Sequence, residues 1–331
     1  MTALSDTQLS SLQRELALPD LGDRYRLTAR LGRGGMGAVY LGHDTLLNRD
    51  VAVKVVEGDS GSAAFAKRLA GEAQILARLE HPGIVPVHDF GRSPEGLDYY
   101  VMKHVEGETF ARYCRRATTL VERLRALRRV CETIAFAHAQ SVVHGDLSPR
   151  NVMVGAYGEV LTLDWGLART AAAESEGTEA TPAAASDATS PDVPARRIGT
   201  PGYAAPELTH ASARLTSAAD VYALGGLLLL ACTGEHPAEP IPRVSAGDRD
   251  RAPLLAMCRR ARADDPRDRY ESCAAFAADL ARYLDHDRVQ AYHEPWAESL
   301  VRLGRKYQVV IALVGAYLLM RVLVAWWTAR G

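Results

Sequence analysis

The apolar and polar positions in the first third of the chain follow two different periods. Residues 24–56 alternate and are punctuated by turn residues, which predicts three antiparallel strands beginning at Tyr25. Residues 63–80 repeat apolar side chains at three- and four-residue spacing, which predicts a helix carrying Glu72. An apolar strand is then predicted at residues 99–102. The pattern therefore indicates a small sheet with one helix.

Beyond Phe110 the pattern becomes mainly helical. Leu120 to Gln140 predicts a long helix. The short apolar runs after it predict buried β-segments separated by turns, at residues 142–143, 152–154 and 160–163. Asp220 to Cys232 is an almost wholly apolar helix, too short to span a membrane, and we interpret it as a core helix.

The last apolar run, Val309 to Trp327, is long enough to cross a membrane. We predict a transmembrane helix at residues 308–327, although Arg321 interrupts it, with a juxtamembrane segment at 286–307 before it. The basic residues Arg302, Arg305 and Lys306 favour a cytoplasmic N-terminal side, and Trp326 and Trp327 favour an interfacial anchor. The expected location is the cytoplasmic membrane, crossed once. A buried packing or dimerisation helix is the alternative.

Two segments have a composition that does not favour a packed core. Residues 170–197 consist mostly of alanine, serine, threonine, proline and acidic residues, so we expect disorder there. Residues 1–22 form an N-terminal leader whose leucines could pack on the folded domain, or the leader could be mobile.

Composition narrows the class of protein. The 331 residues include 39 basic and 40 acidic side chains, so nucleic-acid binding is not expected. The polar first 20 residues do not resemble a signal peptide. The five cysteines lack CxxC spacing and are interpreted as free, buried thiols in a reducing cytosol.

Three oxygen-bearing side chains are set among the predicted β-segments. Asp164 and Asn151 are candidate ligands for Mg²⁺, because this ion prefers carboxylate and amide oxygens together with substrate phosphates. Mn²⁺ is a possible substitute. Asp146 would then be available to orient a hydroxyl nucleophile.

A glycine-rich turn precedes the candidate ligands. Gly32, Gly34 and Gly37 would let backbone N–H groups approach phosphate oxygens, where a Cβ would obstruct them. Alone, this spacing is more commonly explained by an ordinary glycine-rich hairpin. It is followed by Val51-Ala52-Val53-Lys54, a strand that ends in one of only four lysines in the chain.

These motifs together resemble a known family. HGDLSPRN at 144–151 is similar to a protein-kinase catalytic loop, Asp164-Trp165-Gly166 to its metal-binding motif, and GTPGYAAPE at 199–207 to the end of a serine/threonine-kinase activation segment. In their order, from Tyr25 to about Tyr283, they resemble a membrane-linked bacterial Hanks-type (eukaryotic-like) serine/threonine kinase.

The resemblance implies an α+β, two-lobed fold. The kinase domain would span residues 23–285, with a small β-sheet lobe at 23–102, a hinge at 103–107 and a larger, mostly helical lobe at 108–285. It also implies that Glu207 and Arg269 form a buried salt bridge.

The resemblance assigns roles within the site. Lys54, held by Glu72, would grip the ATP phosphates beneath the three glycines, Asp164 and Asn151 would hold Mg²⁺, and Asp146 would act on the substrate hydroxyl. The remaining expected nucleotide contacts are Leu31, Val39, Ala52, Met102, Lys103, Val105 and Met153. Lys103 and Val105 would contact adenine through their main chain.

The catalytic loop departs from the family at two positions. Gly145 replaces an arginine that normally receives a phosphorylated activation-loop residue, so we expect that this switch is not needed. Ser148 replaces a lysine that neutralises the transferring phosphate, and its loss could slow transfer on the order of 10²-fold.

The leading functional hypothesis is an autophosphorylating serine/threonine kinase that uses ATP, acts on protein substrates and functions in bacterial signalling. A homodimer is possible. A membrane-tethered, ATP-binding pseudokinase scaffold is the main alternative, and a small-molecule kinase of the aminoglycoside type is disfavoured by GTPGYAAPE. Accessible acceptors for autophosphorylation are predicted within the insert, which could instead be a passive spacer: Thr178, Thr181, Ser186, Thr189 and Ser190.

Overall fold

The fold is described from a computed structural model of the chain. The described residues are 18–34, 37–56, 63–116, 119–166, 168–170, 199–209, 215–237, 251–296, 299, 304 and 307–328. The predicted insert at 170–197, apart from Thr170, and most of the predicted leader lie outside them.

The small lobe is a five-stranded antiparallel sheet with one helix. Its strands have the order β1-β2-β3-β5-β4. The elements are β1 (Tyr25–Gly34), β2 (Gly37–Asp44), β3 (Arg49–Val55), α1 (Ala63–Arg78), β4 (Val87–Arg92) and β5 (Asp98–Lys103). The three strands predicted from the alternation at 24–56 are confirmed.

One face of this sheet has its own small core. Val51 and Val53 of β3 are fully buried in it, beside Tyr25 of β1. Leu21 from the predicted leader is buried in the same cluster, so this part of the leader packs on the lobe. Gly37 lies at φ +143, and an added Cβ there would be 2.1 Å from the Val55 carbonyl oxygen. This close approach between β2 and β3 requires glycine.

The large lobe is mostly helical and begins with a short three-stranded sheet of order β6-β8-β9. Its elements are β6 (Gly107–Thr109), α2 (Phe110–Arg115), α3 (Leu120–Ala139), β7 (Val142–Val143), β8 (Val152–Gly155), β9 (Val160–Thr162), β10 (Arg169–Thr170), α4 (Ser217–Thr233), α5 (Ala252–Ala261) and α6 (Cys273–Leu284). Short 3₁₀ turns occur at Pro206–Thr209 and Pro266–Asp268.

Helix α4 is the centre of the large lobe. Fourteen consecutive residues, from Ala219 to Cys232, are buried, which confirms the predicted core helix. Helices α3, α5 and α6 contact it. Helix α3 starts at a capping box, in which Thr119 accepts from the Glu122 amide while the Glu122 carboxylate accepts from the Thr119 amide. All five cysteines are free and buried, as predicted.

The Glu207–Arg269 salt bridge expected from the resemblance is present. The guanidinium group of Arg269 donates to both Glu207 carboxylate oxygens at 2.8 and 2.7 Å. It also donates to the carbonyl oxygens of Ala218, Ala263 and Asp264. Arg269 is almost fully buried. Its hydrogen bonds connect Glu207, in the segment after the insert, to Ala218 at the start of helix α4.

The C-terminal helix α7 (Gln308–Thr328) is exposed at every residue from 308 to 327. Among the described residues, it is the one helix that is long and apolar enough to cross a membrane. The candidate span, residues 308–327, has a mean hydropathy of 2.3, and its apolar part is not buried. Within it, Arg321 donates to the Tyr317 hydroxyl at 3.2 Å. Its apolar side chains are therefore not covered by any other described part of the chain.

Replacing Arg269 by alanine should destabilise the large lobe strongly. The change leaves Glu207 and several carbonyl groups without their donor, and breaking a buried pair in this way costs about 3–5 kcal/mol. Urea unfolding of the chain in detergent would measure the free energy of unfolding. Arg267→Ala is the matched control, because this side chain is 92% exposed and should change stability little. Equal losses in both variants would contradict a stabilising role for the bridge.

Candidate active site

The innermost part of the site is an ion pair between β3 and α1. The Lys54 ammonium donates to both Glu72 carboxylate oxygens, each at 2.8 Å. Both side chains are almost fully buried. Burial alone would lower the pKa of Lys54, but the neighbouring carboxylates of Glu72 and Asp164 raise it above its ordinary value. The lysine is therefore held as a cation.

A second carboxylate reaches the same ammonium from the large lobe. Asp164 follows β9, and its Oδ1 accepts from Lys54 Nζ at 2.8 Å. Burial favours a higher pKa for Asp164, yet the Lys54 cation lowers it below the ordinary value. About half of the Asp164 side chain remains exposed, so it can accept a further positively charged partner.

Trp165, the residue after Asp164, packs this segment against His144. Trp165 is fully buried, and its ring lies 4.6 Å from the His144 ring. His144 Nε2 in turn contacts the Leu163 carbonyl oxygen at 3.1 Å. These contacts join the Asp164 segment to the loop that carries Asp146.

The backbone of that loop is held by Asp220 from helix α4. The amides of His144 and Gly145 donate to the two Asp220 oxygens, each at 2.9 Å, and His138 Nε2 lies 2.8 Å from Oδ2. Burial would raise the pKa of Asp220, but these hydrogen bonds and the nearby histidines lower it. Gly145 has φ +80, a left-handed conformation in which glycine has no Cβ penalty.

Asp146 is held in place by hydrogen bonds from Thr200 and Asn151. Its Oδ1 accepts from the Thr200 amide at 2.9 Å and from the Thr200 hydroxyl at 2.8 Å. Burial raises the pKa of Asp146 above its ordinary value, against the lowering effect of these hydrogen bonds. The Asn151 side-chain nitrogen donates to the Asp146 carbonyl oxygen at 2.7 Å. Because that bond uses the amide nitrogen, the Asn151 amide oxygen is the atom that would bind a cation.

The donor set fits a hard divalent cation. Asp164 and Asn151 offer carboxylate and amide oxygens, and no cluster of three or more histidine, cysteine or acidic residues suited to a metal occurs in the described part of the chain. Two protein oxygens, completed by waters and substrate phosphates, are the usual environment of Mg²⁺ in phosphoryl-transfer sites.

The expected nucleotide contacts come from the small lobe, from the segment after β5 and, for Met153, from β8 of the large lobe. Ala52 and Met102 are paired across β3 and β5, and both are buried. Val39 and Val105 are partly buried against the same core cluster, Met153 is partly buried, and Leu31 is half exposed. The Lys103 amide donates to the Pro86 carbonyl oxygen at 3.1 Å, so this amide already has a partner within the small lobe.

The glycine-rich turn is described in part. Gly34 and Gly37 pair at the end of the β1–β2 hairpin, and a Cβ at Gly32 would meet nothing within 4 Å. The open space above Gly32 is compatible with a ligand, while residues 35 and 36 lie outside the described residues.

Ser148 stands where the resemblance expects a lysine. Its side chain is almost fully buried, and its Oγ has no hydrogen-bond partner among the described residues. A buried hydroxyl without a partner is unfavourable, so this oxygen is available to hydrogen-bond a bound group or water.

Three site residues were not identified from the sequence: Thr200, Tyr100 and Asp220. In the sequence, Thr200 is distinguished only as part of a motif, and its contact with Asp146 spans 54 residues. The Tyr100 hydroxyl donates to Glu72 Oε1 at 2.8 Å, although the sequence around Tyr100 indicates only an apolar strand. Asp220 gave a usable signal, because an acidic residue at the start of an otherwise apolar buried helix needs internal donors.

Known proteins share this architecture and its motifs. A family model for the protein kinase domain matches residues 25–297. The chain is 34% identical over 283 residues to serine/threonine-protein kinase PknB of Mycobacterium tuberculosis, an alignment covering 79% of this chain and 43% of PknB. It is 31% identical over 291 residues to serine/threonine-protein kinase PknD of Chlamydia caviae, covering 79% of this chain and 31% of PknD. The chain thus spans less than half the length of these relatives.

A solved structure is similar in both fold and sequence. The crystal structure of the Mycobacterium tuberculosis PknI kinase domain aligns with a TM-score of 0.58 and 27% sequence identity. The alignment covers 81% of this chain and 99% of the PknI domain.

Alanine at two glycine positions should have opposite effects on stability. Gly145→Ala places a Cβ on a left-handed residue and should lower the free energy of unfolding by about 1–2 kcal/mol. Gly71 lies inside helix α1 with nothing within 4 Å of an added Cβ. Gly71→Ala should therefore raise stability by about 0.5–1 kcal/mol. Chemical denaturation of both variants checks the signs, and a neutral Gly145→Ala would argue against the backbone constraint.

Proposed function

Since the chain belongs to the protein kinase domain family, we propose that it is a serine/threonine protein kinase that transfers the ATP γ-phosphate to protein hydroxyls. One observation supports this proposal: the Lys54 ammonium lies 2.8 Å from carboxylate oxygens of both Glu72 and Asp164. The loop that carries Asp146 lies close to this cluster. A phosphoryl-transfer site needs this combination of a fixed cation, a metal-binding carboxylate and a hydroxyl-orienting carboxylate.

The contacts support a separate catalytic or binding role for each of these residues. Lys54 binds phosphate oxygens of ATP, and Glu72 keeps its ammonium in place. Asp164 and Asn151 hold Mg²⁺, or Mn²⁺ in its place; when bound, the ion neutralises phosphate charge. Asp146, oriented by Thr200, accepts a hydrogen bond from the substrate hydroxyl and takes up its proton as the phosphoryl group transfers.

The nucleotide would lie between the lobes. Gly32, Gly34 and Gly37 cover the phosphates, and Leu31, Val39, Ala52, Met102 and Met153 enclose the adenine ring. The Lys103 carbonyl and the Val105 main chain bind its polar edge. Residues 103–107 act as the hinge, because they connect β5 of the small lobe to β6 of the large lobe.

Gly145 supports activity without an arginine-mediated switch. An arginine at this position would connect the loop to a phosphorylated segment. Here Asp220 already fixes the backbone of residues 144 and 145 from helix α4. We therefore propose that the catalytic loop is set by the core of the large lobe, independently of phosphorylation in the segment after Asp164.

An ATP-binding pseudokinase scaffold is the second candidate. It is favoured by Ser148, whose short, buried side chain cannot provide the cation that usually neutralises the transferring phosphate. The intact set of Lys54, Glu72, Asn151, Asp164 and Asp146 favours slow transfer over none.

We further propose a single-pass membrane anchor at helix α7, with the kinase domain in the cytoplasm. Its 21 residues suit the hydrocarbon thickness of a bilayer, and its large apolar side chains from Val309 to Trp327 are exposed. Arg321 lies near one end of the helix, where its long side chain can reach the interface.

Asp146→Asn should abolish transfer while leaving nucleotide binding intact. Losing a group that accepts the substrate proton reduces rates by about 10²–10⁴-fold. Incubation of the full chain with labelled ATP and Mg²⁺ would measure autophosphorylation, and mass spectrometry would test Thr178, Thr181, Ser186, Thr189 and Ser190 as acceptors. The exposed Asp23→Asn variant is the control. ATP binding without transfer by the unmodified chain would instead support the pseudokinase candidate.

Truncation after residue 307 should release the protein from membranes. The removed helix α7 carries the exposed apolar surface, and burial of that surface in lipid would account for attachment. Flotation of bacterial membranes in a sucrose gradient gives the measurement. Arg321→Leu, which keeps the helix, should float as the unmodified chain does. A full-length chain that stays soluble as a dimer would favour the packing-helix alternative.

A further inference from the structure

We infer that Tyr100 is a positioning residue that holds Glu72, and through it Lys54, in the arrangement needed for nucleotide binding. This inference rests on the proposed function and adds to it a third member of the buried ion pair. The Tyr100 hydroxyl donates to Glu72 Oε1 at 2.8 Å. Like the two charged residues, Tyr100 is almost fully buried.

Strand geometry places Tyr100 directly beside Lys54. The two residues are register partners across β3 and β5, so their side chains emerge on the same face of the sheet. The Lys54 ammonium lies 5.9 Å from the centre of the Tyr100 ring, on its face. Tyr100 therefore contacts both members of the pair, the carboxylate through its hydroxyl and the ammonium through its ring.

The phenol is suited to remain a donor. Burial raises the pKa of Tyr100 well above its ordinary value, and the Glu72 charge acts in the same direction. The hydroxyl hence stays protonated at neutral pH. A hydrogen bond from a neutral hydroxyl to a buried carboxylate is among the stronger kinds, and a carboxylate with few donors in an apolar site is costly.

Nucleotide binding makes this donor more important. Phosphate oxygens compete with Glu72 and Asp164 for the three N–H donors of the Lys54 ammonium. The bonds of Lys54 to Glu72 then weaken, whereas the Tyr100 bond, which lies on the strand side, is not shared with the ligand. Tyr100 thus connects α1 to the sheet whether or not Lys54 is engaged.

The neighbouring tyrosine provides a natural comparison. Tyr99 is also mostly buried, but on the opposite face of β5, where its ring lies 6.0 Å from that of Tyr25. It belongs to the core cluster of the outer sheet face, not to the one that contains Tyr100. Removing its hydroxyl therefore leaves Glu72 and Lys54 untouched.

Tyr100→Phe and Tyr99→Phe are the paired test, made in the full chain in detergent. Calorimetry with Mg²⁺ and a non-hydrolysable ATP analogue should show affinity about 3- to 10-fold weaker for Tyr100→Phe, the loss expected for one typical intramolecular hydrogen bond. Tyr99→Phe should stay within about twofold of the unmodified chain. In a Glu72→Ala background, Tyr100→Phe should cause little further loss of affinity, because the carboxylate that accepts the Tyr100 hydrogen bond is absent.

Hydrogen exchange gives a readout independent of any ligand. Amides of residues 63–78 should exchange faster in Tyr100→Phe than in Tyr99→Phe, since only the former releases helix α1. Unchanged affinity and unchanged exchange in Tyr100→Phe would overturn the inference, as would equal effects of both variants. If the chain binds nucleotide and responds in this way but transfers no phosphate, the proposed catalytic function fails while the positioning role stands.

Discussion

The site depends on one buried ammonium. Lys54 connects three elements that are distant in sequence: its own strand β3, helix α1 through Glu72, and the segment after β9 through Asp164. One cation opposed by two carboxylates leaves the cluster with negative charge, which would repel an unaccompanied triphosphate. A divalent cation at Asp164 reverses this balance, and this charge count is a physical reason for the ligand to be a metal–nucleotide complex.

A second buried charge sets the opposite side of the cleft. Asp220 projects from the core helix α4 and receives two backbone N–H groups and His138, so its charge is satisfied by groups that cannot move independently of the lobe. Because these bonds hold the backbone at Gly145 in a left-handed conformation, the position of Asp146 follows from the large-lobe core. The loss of an arginine at residue 145 is thereby compatible with an ordered catalytic loop.

The sequence could predict features that local patterns encode. Strand alternation and the apolar repeat of α1 depend on neighbouring residues, and motif order predicts the pairings of Lys54 with Glu72 and of Glu207 with Arg269. The contacts of Tyr100 with Glu72 and of Thr200 with Asp146 span 28 and 54 residues. They depend on which face of a strand meets which helix, and a tyrosine in an apolar strand or a threonine in a turn carries no local sign of its partner.

Two departures from the family fall in one loop of the proposed site. The residues proposed to bind the phosphates or the metal match the family's motifs. Gly145 and Ser148, in contrast, belong to the loop that would face the acceptor hydroxyl in the proposed reaction. A change confined to that loop alters the stabilisation of the transferring phosphoryl group much more than the binding of the nucleotide. Binding affinity and transfer rate should therefore be separable in this chain, with the buried cluster around Lys54 governing the first and residues 145–148 of the loop governing the second.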